Sequence, residues 1–130
     1  MNLSYVNSEN APKAIGPYSH AVKSETMIIT SGQIPLNPST NEIVTDVKKA
    51  TQQVLDNLLN VVIDSGGSKD TIARVDLFVK SLEYFDEINE VYTDFFGDRK
   101  PSRVLIEVSK LPAGAILEAS VLAFRDDKER

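Results

Sequence analysis

The sequence contains no cysteine, which excludes disulfide bonds, thiolate metal ligands and a cysteine nucleophile. It contains a single histidine, His20, so a histidine-based metal site or triad would depend on one ring. We therefore interpret His20 mainly as an ordinary surface or hairpin position, with a direct chemical role as the less favoured alternative. A Gly-rich phosphate loop, a Gly-x-Ser-x-Gly elbow and a histidine pair at metal spacing are also missing, so no metal site is predicted.

Long apolar runs and an excess of basic residues are absent as well. No stretch approaches the roughly 20 consecutive apolar residues that cross a bilayer, and the first residues lack the basic and apolar regions of a secretion signal. The net charge is -5, and the 14 Lys and Arg residues are spread along the chain. We therefore expect a cytoplasmic protein with neither a membrane nor a nucleic acid as its partner.

The 130 residues, of which 42% are hydrophobic, suit one domain that spans residues 1–130. In two segments the apolar residues are spaced by three and four, which predicts helices over residues 46–65 and 81–96. Gly66 follows the first helix and Gly97 the second, where each provides a stop signal.

Alternating apolar residues predict a hairpin near the start and three further strands, over residues 20–31, 71–80, 102–109 and 116–125. In the strand at 102–109 we expect Val104 and Ile106 to face the core, which turns Arg103 and Leu105 to the opposite side. The order of elements predicts an α+β sandwich with both helices on one face of a sheet. Since a small domain cannot leave the apolar opposite face in water, we expect a closed cyclic oligomer.

Arg103 and Glu118 are charged residues in predicted strands, at positions where we expect the side chain to be buried. The guanidinium of Arg103 offers two parallel N–H donors that can hold a carboxylate ligand, or it forms an ion pair with Glu107 or a neighbouring subunit. Glu118 interrupts an apolar strand, where burial would raise its pKa and suit it to acid–base chemistry. The alternative, which the sequence chemistry alone favours, is that Glu118 pairs with an arginine or lysine.

Two further polar residues are weaker candidates. Asn89 lies on the second predicted helix and either donates an amide hydrogen bond or is solvated. Tyr18 follows Gly16-Pro17 and is either a pocket wall or a turn aromatic.

Four segments together resemble the RidA (YjgF) family in order and spacing, over nearly the whole chain: Ala11 to Ser19, Ser31 to Pro35, Asn89 to Phe96, and Pro101 through Leu111-Pro112 to Glu118. The resemblance implies a chorismate-mutase-like α+β sandwich with a mixed sheet, assembled as a homotrimer with active clefts between adjacent subunits. It also implies hydrolysis of reactive 2-imino acids, such as 2-iminobutanoate and 2-iminopropanoate, to 2-keto acids and ammonia. No cofactor is implied.

The resemblance also implies residue roles. Arg103 would clamp the substrate carboxylate, and Glu118 would orient or activate the attacking water. The implied substrate-binding residues are Tyr18, Ser31, Gly32, Asn89, Arg103 and Leu105, with Tyr92 as a weaker candidate. Many deaminating members carry a cysteine where this chain has Leu105, so we expect activity to survive only if that position acts mainly through its backbone.

Leu105 keeps a second hypothesis open, a non-catalytic trimer that binds a small keto acid and regulates metabolism or gene expression. A third, an endoribonuclease or translation inhibitor, is disfavoured by the acidity of the chain and the lack of a basic stripe.

Overall fold

The computed structural model describes residues 2–127. The six strands of this region are β1 Ser4–Val6, β2 Ala21–Lys23, β3 Met27–Thr30, β4 Ile72–Val79, β5 Ser102–Glu107 and β6 Leu117–Phe124. Its two α-helices are α1 Val47–Asp64 and α2 Phe85–Phe96. The predicted hairpin, helices and strands are confirmed, and β1 is an additional strand that is too short to give a clear alternation.

The strands form one mixed sheet in the order β1-β2-β3-β6-β4-β5. Strands β4 and β5 are parallel, and the other neighbouring pairs are antiparallel. Helix α2 makes the crossover between the two parallel strands, as such a connection requires. The expected α+β architecture is confirmed, and β5 forms one edge of the sheet.

Helix α1 begins and ends at residues that suit a helix terminus, whereas α2 has no side-chain cap at its start and ends at Gly97. Asp46 caps α1 by accepting a hydrogen bond from the backbone N–H of Lys49 at 3.0 Å, and Gly66 beyond its end has a φ of 100°. Helix α2 begins later than predicted, because a short 3-10 turn, Leu82–Tyr84, occupies the first part of the predicted helix. Neither helix is long and apolar enough to cross a membrane, nor is any other helix among residues 2–127.

The core lies between the helices and one face of the sheet. Alternate residues of the two central strands, such as Val75 and Leu117, are fully buried and belong to the same cluster as Leu58 of α1 and Ile88 of α2. Burial of each such side chain contributes roughly 1.5–3 kcal/mol. Both helices therefore pack on the same face of the sheet, as expected.

The predicted facing of β5 is wrong. Val104 and Ile106 are 42% and 46% exposed, whereas Leu105 packs against the core. Arg103 pairs with the fully buried Val75 of β4, and paired neighbours point to the same face of a sheet. Both sides of this edge strand carry apolar residues, so alternation alone did not identify the side that α2 covers.

The other face of the sheet carries no helix and exposes apolar side chains in this single chain. It includes Ile29, Ile106 and Phe124, which are 53%, 46% and 44% exposed. An apolar open face was expected, but its residues on β5 were predicted wrongly. The prediction placed Arg103, Leu105 and Glu107 there, whereas Val104 and Ile106 lie on this face. Glu118 lies on this open face, since it pairs with Phe78 while its neighbours in β6 point into the core.

Candidate active site

Glu118 is a partly buried carboxylate near the start of β6. Burial raises the pKa of its carboxyl group, because desolvation disfavours the charged form. None of the ion pairs between residues 2–127 includes Glu118, so the alternative of an arginine or lysine partner is not found there. An acid with a raised pKa can give and take protons closer to neutrality than a solvated glutamate.

Gly32 makes room for the Glu118 carboxylate. A Cβ atom added at Gly32 would clash with Glu118 Oε2, so a larger residue would displace the carboxylate. The next residue, Gln33, exchanges two backbone hydrogen bonds with Ala119, at 2.8 and 3.1 Å. This bridge fixes the segment after β3 against β6 at the level of the carboxylate.

An open pocket of about 460 Å³ lies over Glu118. Its lining residues are Ile15, Tyr18, Ser31, Gly32, Pro112 and Glu118. A smaller cavity of about 40 Å³ also borders Gly32 and Glu118 and extends under residues 12–15. We refer to Tyr18, Ser31, Gly32 and Glu118 as the carboxylate half.

Local hydrogen bonds hold the other two members of the carboxylate half. The Ser31 hydroxyl donates to the carbonyl of Ser19 at 2.7 Å, which leaves its oxygen free to accept from a ligand. The Tyr18 ring folds back over Gly16, where a Cβ atom would lie 3.0 Å from the ring. The Tyr18 hydroxyl accepts the backbone N–H of Ile15 at 3.4 Å, so Tyr18 is a pocket wall rather than only a turn residue.

Arg103 lies on the helix-covered face, against aromatic rings of α2. Its guanidinium carbon is 4.9 Å from the centroid of Tyr92 and 5.7 Å from that of Phe85. It forms no ion pair with any carboxylate of residues 2–127. Glu107, the partner that the sequence offered, instead accepts the backbone N–H of Leu82 at 2.9 Å. The two rings orient the guanidinium by cation–π contact. Its N–H donors have no carboxylate partner among residues 2–127.

Three neighbours complete the surroundings of Arg103. Tyr92 is 4% exposed, and its hydroxyl has no hydrogen-bond partner among residues 2–127. Burial raises the pKa of Tyr92 to about 12, although the charge of Arg103 acts in the opposite direction, so the phenol is neutral. Asn89 shares the helix face of Phe85 and Tyr92 by spacing, and Leu105 shares the strand face of Arg103. We refer to Phe85, Asn89, Tyr92, Arg103 and Leu105 as the arginine half.

The two halves lie on opposite faces of the sheet in one chain. Arg103 pairs with Val75 and Glu118 pairs with Phe78, and residues three apart on a strand point to opposite sides. A single chain therefore does not bring Arg103 and Glu118 together at one pocket. The sequence singled out both residues but could not reveal this separation, because the predicted facing of β5 was reversed.

Sequence reasoning also missed features around the pocket. His20, interpreted as an ordinary surface or hairpin position, is 3% exposed and both of its ring nitrogens are hydrogen-bonded. Ile15 and Pro112 line the pocket, and only their place in the family-like segments pointed to them. Within residues 2–127 no cluster of three or more metal-ligating side chains is present.

Comparison with known proteins gives consistent matches over almost the whole chain. The family model described as Endoribonuclease L-PSP matches residues 8–125. A RutC family protein of Pyrococcus abyssi is 41% identical over 120 residues, which cover 92% of this chain and 94% of the relative. A 2-iminobutanoate/2-iminopropanoate deaminase of Escherichia coli K12 is 41% identical over 123 residues, covering 92% of this chain and 96% of the relative.

A solved structure extends the match to three dimensions. The crystal structure of Escherichia coli TdcF with bound serine superposes with a TM-score of 0.90 at 36% sequence identity, covering 95% of this chain and 99% of that chain. The order and spacing of the motifs, the mixed α+β fold and the family model agree. The chain therefore belongs to the Endoribonuclease L-PSP family, which is the RidA (YjgF) family.

Proposed function

We propose that the protein hydrolyses reactive 2-imino acids, such as 2-iminobutanoate and 2-iminopropanoate, to 2-keto acids and ammonia without a cofactor. The observation that carries the proposal is the partly buried Glu118 carboxylate, which borders an open pocket without a counter-charge among residues 2–127. The name of the Escherichia coli relative supports the same activity.

The proposed chemistry needs one group that accepts and returns a proton. Water attacks the carbon of the protonated imine: its oxygen forms the new C–O bond, the C=N π pair moves to the nitrogen and Glu118 takes a proton from the water, giving a neutral carbinolamine. Glu118 then returns the proton to the nitrogen, the C–N bond breaks as the carbonyl forms, and the hydroxyl proton passes to the Glu118 carboxylate, which gives it to the departing ammonia. The raised pKa of Glu118 suits both transfers, since the best acid–base catalyst has a pKa near the working pH.

Arg103 supplies the substrate's anchor in this proposal. Its guanidinium contacts Tyr92 and Phe85 through their ring faces, so the N–H fork is oriented without being paired. A planar fork matches a carboxylate in a bidentate pair, and each charged hydrogen bond contributes roughly 1.5–3 kcal/mol. The substrate's carboxylate is thus fixed relative to its imine carbon.

We further propose that each cleft forms between two copies of the chain. The arginine half and the carboxylate half lie on opposite faces of the sheet, so one copy would contribute Arg103 and its neighbour Glu118. The open face also exposes large apolar side chains that association would remove from water. A homotrimer, as the family resemblance implies, closes such an arrangement with identical clefts.

The test supplies the unstable imine in place, by letting a threonine dehydratase act on threonine. Wild-type protein is expected to accelerate keto acid formation, and Arg103→Ala is expected to lose that acceleration while remaining folded. The matched control is Arg99→Ala, because Arg99 is exposed and pairs with Asp70 on the surface. No acceleration by folded wild-type protein, with several amino-acid precursors, would reject the proposal.

Leu105 supports a second candidate function, a protein that binds a 2-keto acid without turnover. Many deaminating members carry a cysteine at this position, and here the side chain packs against the core. Tight binding of 2-ketobutyrate by calorimetry, together with no effect on imine decay, would favour this candidate over the deaminase.

A further inference from the structure

His20 connects the N-terminal segment of the chain to the pocket wall. It lies directly before β2 and is buried. Its Nε2 atom lies 2.8 Å from the carbonyl oxygen of Pro12, which can only accept, so Nε2 carries the proton. Its Nδ1 atom then has a free lone pair and accepts the backbone N–H of Ser8 at 2.9 Å. One neutral imidazole therefore holds two points of the segment from Ser8 to Pro12.

The same segment is tied to the end of α1. The Ser8 hydroxyl donates to the Asp64 carboxylate, and the Asn10 side-chain amide donates to the same carboxylate at 3.2 Å. The Asn60 side-chain amide donates to the carbonyl of Asn10 at 3.0 Å. Residues 8–10 are thus fixed by α1, whereas Pro12 is held by His20.

Beyond Pro12 the chain becomes the wall of the pocket. Pro12 and Ile15 line the small cavity beside Glu118, and Tyr18 borders both cavities. The carbonyl of His20 also accepts the backbone N–H of Ser31 at 2.9 Å, so His20 is bonded to two residues that line these cavities, Pro12 and Ser31. Of the two hydrogen bonds of the His20 ring, the one to Pro12 is made by a residue of the pocket wall, whereas Ser8 lies four residues earlier in the chain.

We propose that His20 is a positioning residue for the substrate pocket, acting through its Nε2–H bond to the Pro12 carbonyl. This bond sets the place of residues 12–18 and hence the fit of the substrate against Tyr18. The inference rests on the proposed function for its kinetic consequence, but the positioning itself is a property of the chain.

Two substitutions separate the two ring bonds. His20→Gln places an amide N–H near the position of Nε2 and keeps a donor for Pro12. His20→Asn places its carbonyl oxygen near the position of Nδ1, which keeps an acceptor for Ser8 but does not reach Pro12. His20→Leu fills the buried space without either bond and serves as a second variant if His20→Asn does not fold.

The experiment measures KM and kcat with the imine generated from threonine, together with hydrogen exchange of the amides in residues 12–19. We expect His20→Asn and His20→Leu to raise KM roughly five- to tenfold, as the loss of one hydrogen bond allows, with kcat within about twofold. Their amides in this segment are expected to exchange faster. His20→Gln is expected to restore KM and exchange to near wild-type values.

The proposal would be overturned if His20→Gln and His20→Asn had the same KM, the same amide exchange and the same loss of thermal stability. His20 would then be a structural residue. If wild-type protein does not deaminate, the proposed function fails, while the binding of 2-ketobutyrate and the exchange data still decide the role of His20. If wild-type protein does not bind 2-ketobutyrate either, unchanged exchange in His20→Asn and His20→Leu would overturn the proposal.

Discussion

The carboxylate half and the arginine half hold their charges by different means. Around Glu118 the backbone fixes the geometry, through the bridge between Gln33 and Ala119 and the space that Gly32 leaves free. Around Arg103 side chains do so, since the rings of Phe85 and Tyr92 contact the guanidinium. The first half shifts a pKa by desolvation, whereas the second orients a permanent charge.

This difference matches the two tasks of the proposed reaction, proton transfer and binding of the substrate carboxylate. A group that moves protons needs a tuned pKa, which partial burial supplies. A group that anchors a carboxylate needs a fixed plane and free donors, which aromatic contact supplies without neutralising the charge. Because the sheet separates the halves within one chain, substitutions in each half should affect different kinetic constants.

Glu118→Gln should have the largest effect. The amide keeps the size of the carboxyl group but cannot take a proton from water, so kcat for imine hydrolysis should fall roughly 100- to 10,000-fold with little change in KM. The matched control is Glu107→Gln, since Glu107 lies at the end of β5 and bonds to Leu82 outside both halves. Steady-state kinetics with the threonine dehydratase system measure both, and a kcat retained in Glu118→Gln would remove Glu118 from the mechanism.

Arg103→Lys should affect KM rather than kcat. Lysine keeps the charge but loses the bidentate fork and its stacking on the rings, so KM should rise roughly ten- to a hundredfold, the equivalent of one charged hydrogen bond. Arg99→Lys, on an exposed arginine, is the control. A fall in kcat at unchanged KM would contradict the division between the halves.

Mixing two inactive variants tests whether the halves meet between copies. Arg103→Ala retains an intact carboxylate half, and Glu118→Gln retains an intact arginine half. After the mixture is unfolded and refolded together at equal amounts, roughly a quarter of the clefts in a cyclic oligomer should combine the two intact halves. Recovery of about a quarter of wild-type activity is therefore expected. Mixing the folded variants without subunit exchange is the control, and no recovery after refolding would place each site within one chain.

Leu105→Cys should produce a smaller effect, on stability rather than chemistry. The Leu105 side chain packs against the core, so the shorter cysteine leaves unfilled space and should cost about 1–2 kcal/mol of unfolding free energy. We expect kcat to stay within a few-fold, because the backbone of β5 is unchanged. Urea unfolding and imine kinetics on the same preparation measure the two quantities, and a large rise in kcat would show that the leucine impairs catalysis.

The fold was largely predictable, because its elements are long and locally signalled. Helix α1 was predicted within one residue at each end from its apolar stripe and Gly66. The three-residue β1 was not predicted, since so short a strand gives no period and depends on its pairing with β2. The start of α2 was misplaced, because a 3-10 turn has the same capping residues as a helix.

The candidate site was predictable by residue type but not by geometry. Arg103 and Glu118 were singled out because charge is rare in such strands, and that reasoning needed no long-range information. Their placement on opposite faces depends on the order of strands, which puts β5 at the edge and α2 over Arg103. The burial of His20 likewise depends on contacts with Ser8 and Pro12, which a single histidine in a sequence does not reveal.

The pH dependence of stability is the most delicate test of the carboxylate half. The folded-state pKa of Glu118 is raised by burial, while the unfolded chain titrates near the ordinary glutamate value of about 4.3. Between these two values the folded state binds more protons than the unfolded state, so the free energy of unfolding falls as pH rises through that window.

Glu118→Gln removes this contribution, so relative to the variant, wild-type protein should lose stability from about pH 4.3 upward and level off above the folded pKa. Urea unfolding at one fixed protein concentration measures both curves, so that any contribution of association is equal in the two proteins. Curves that stay parallel for wild type and Glu118→Gln would mean that desolvation at Glu118 does not shift its titration.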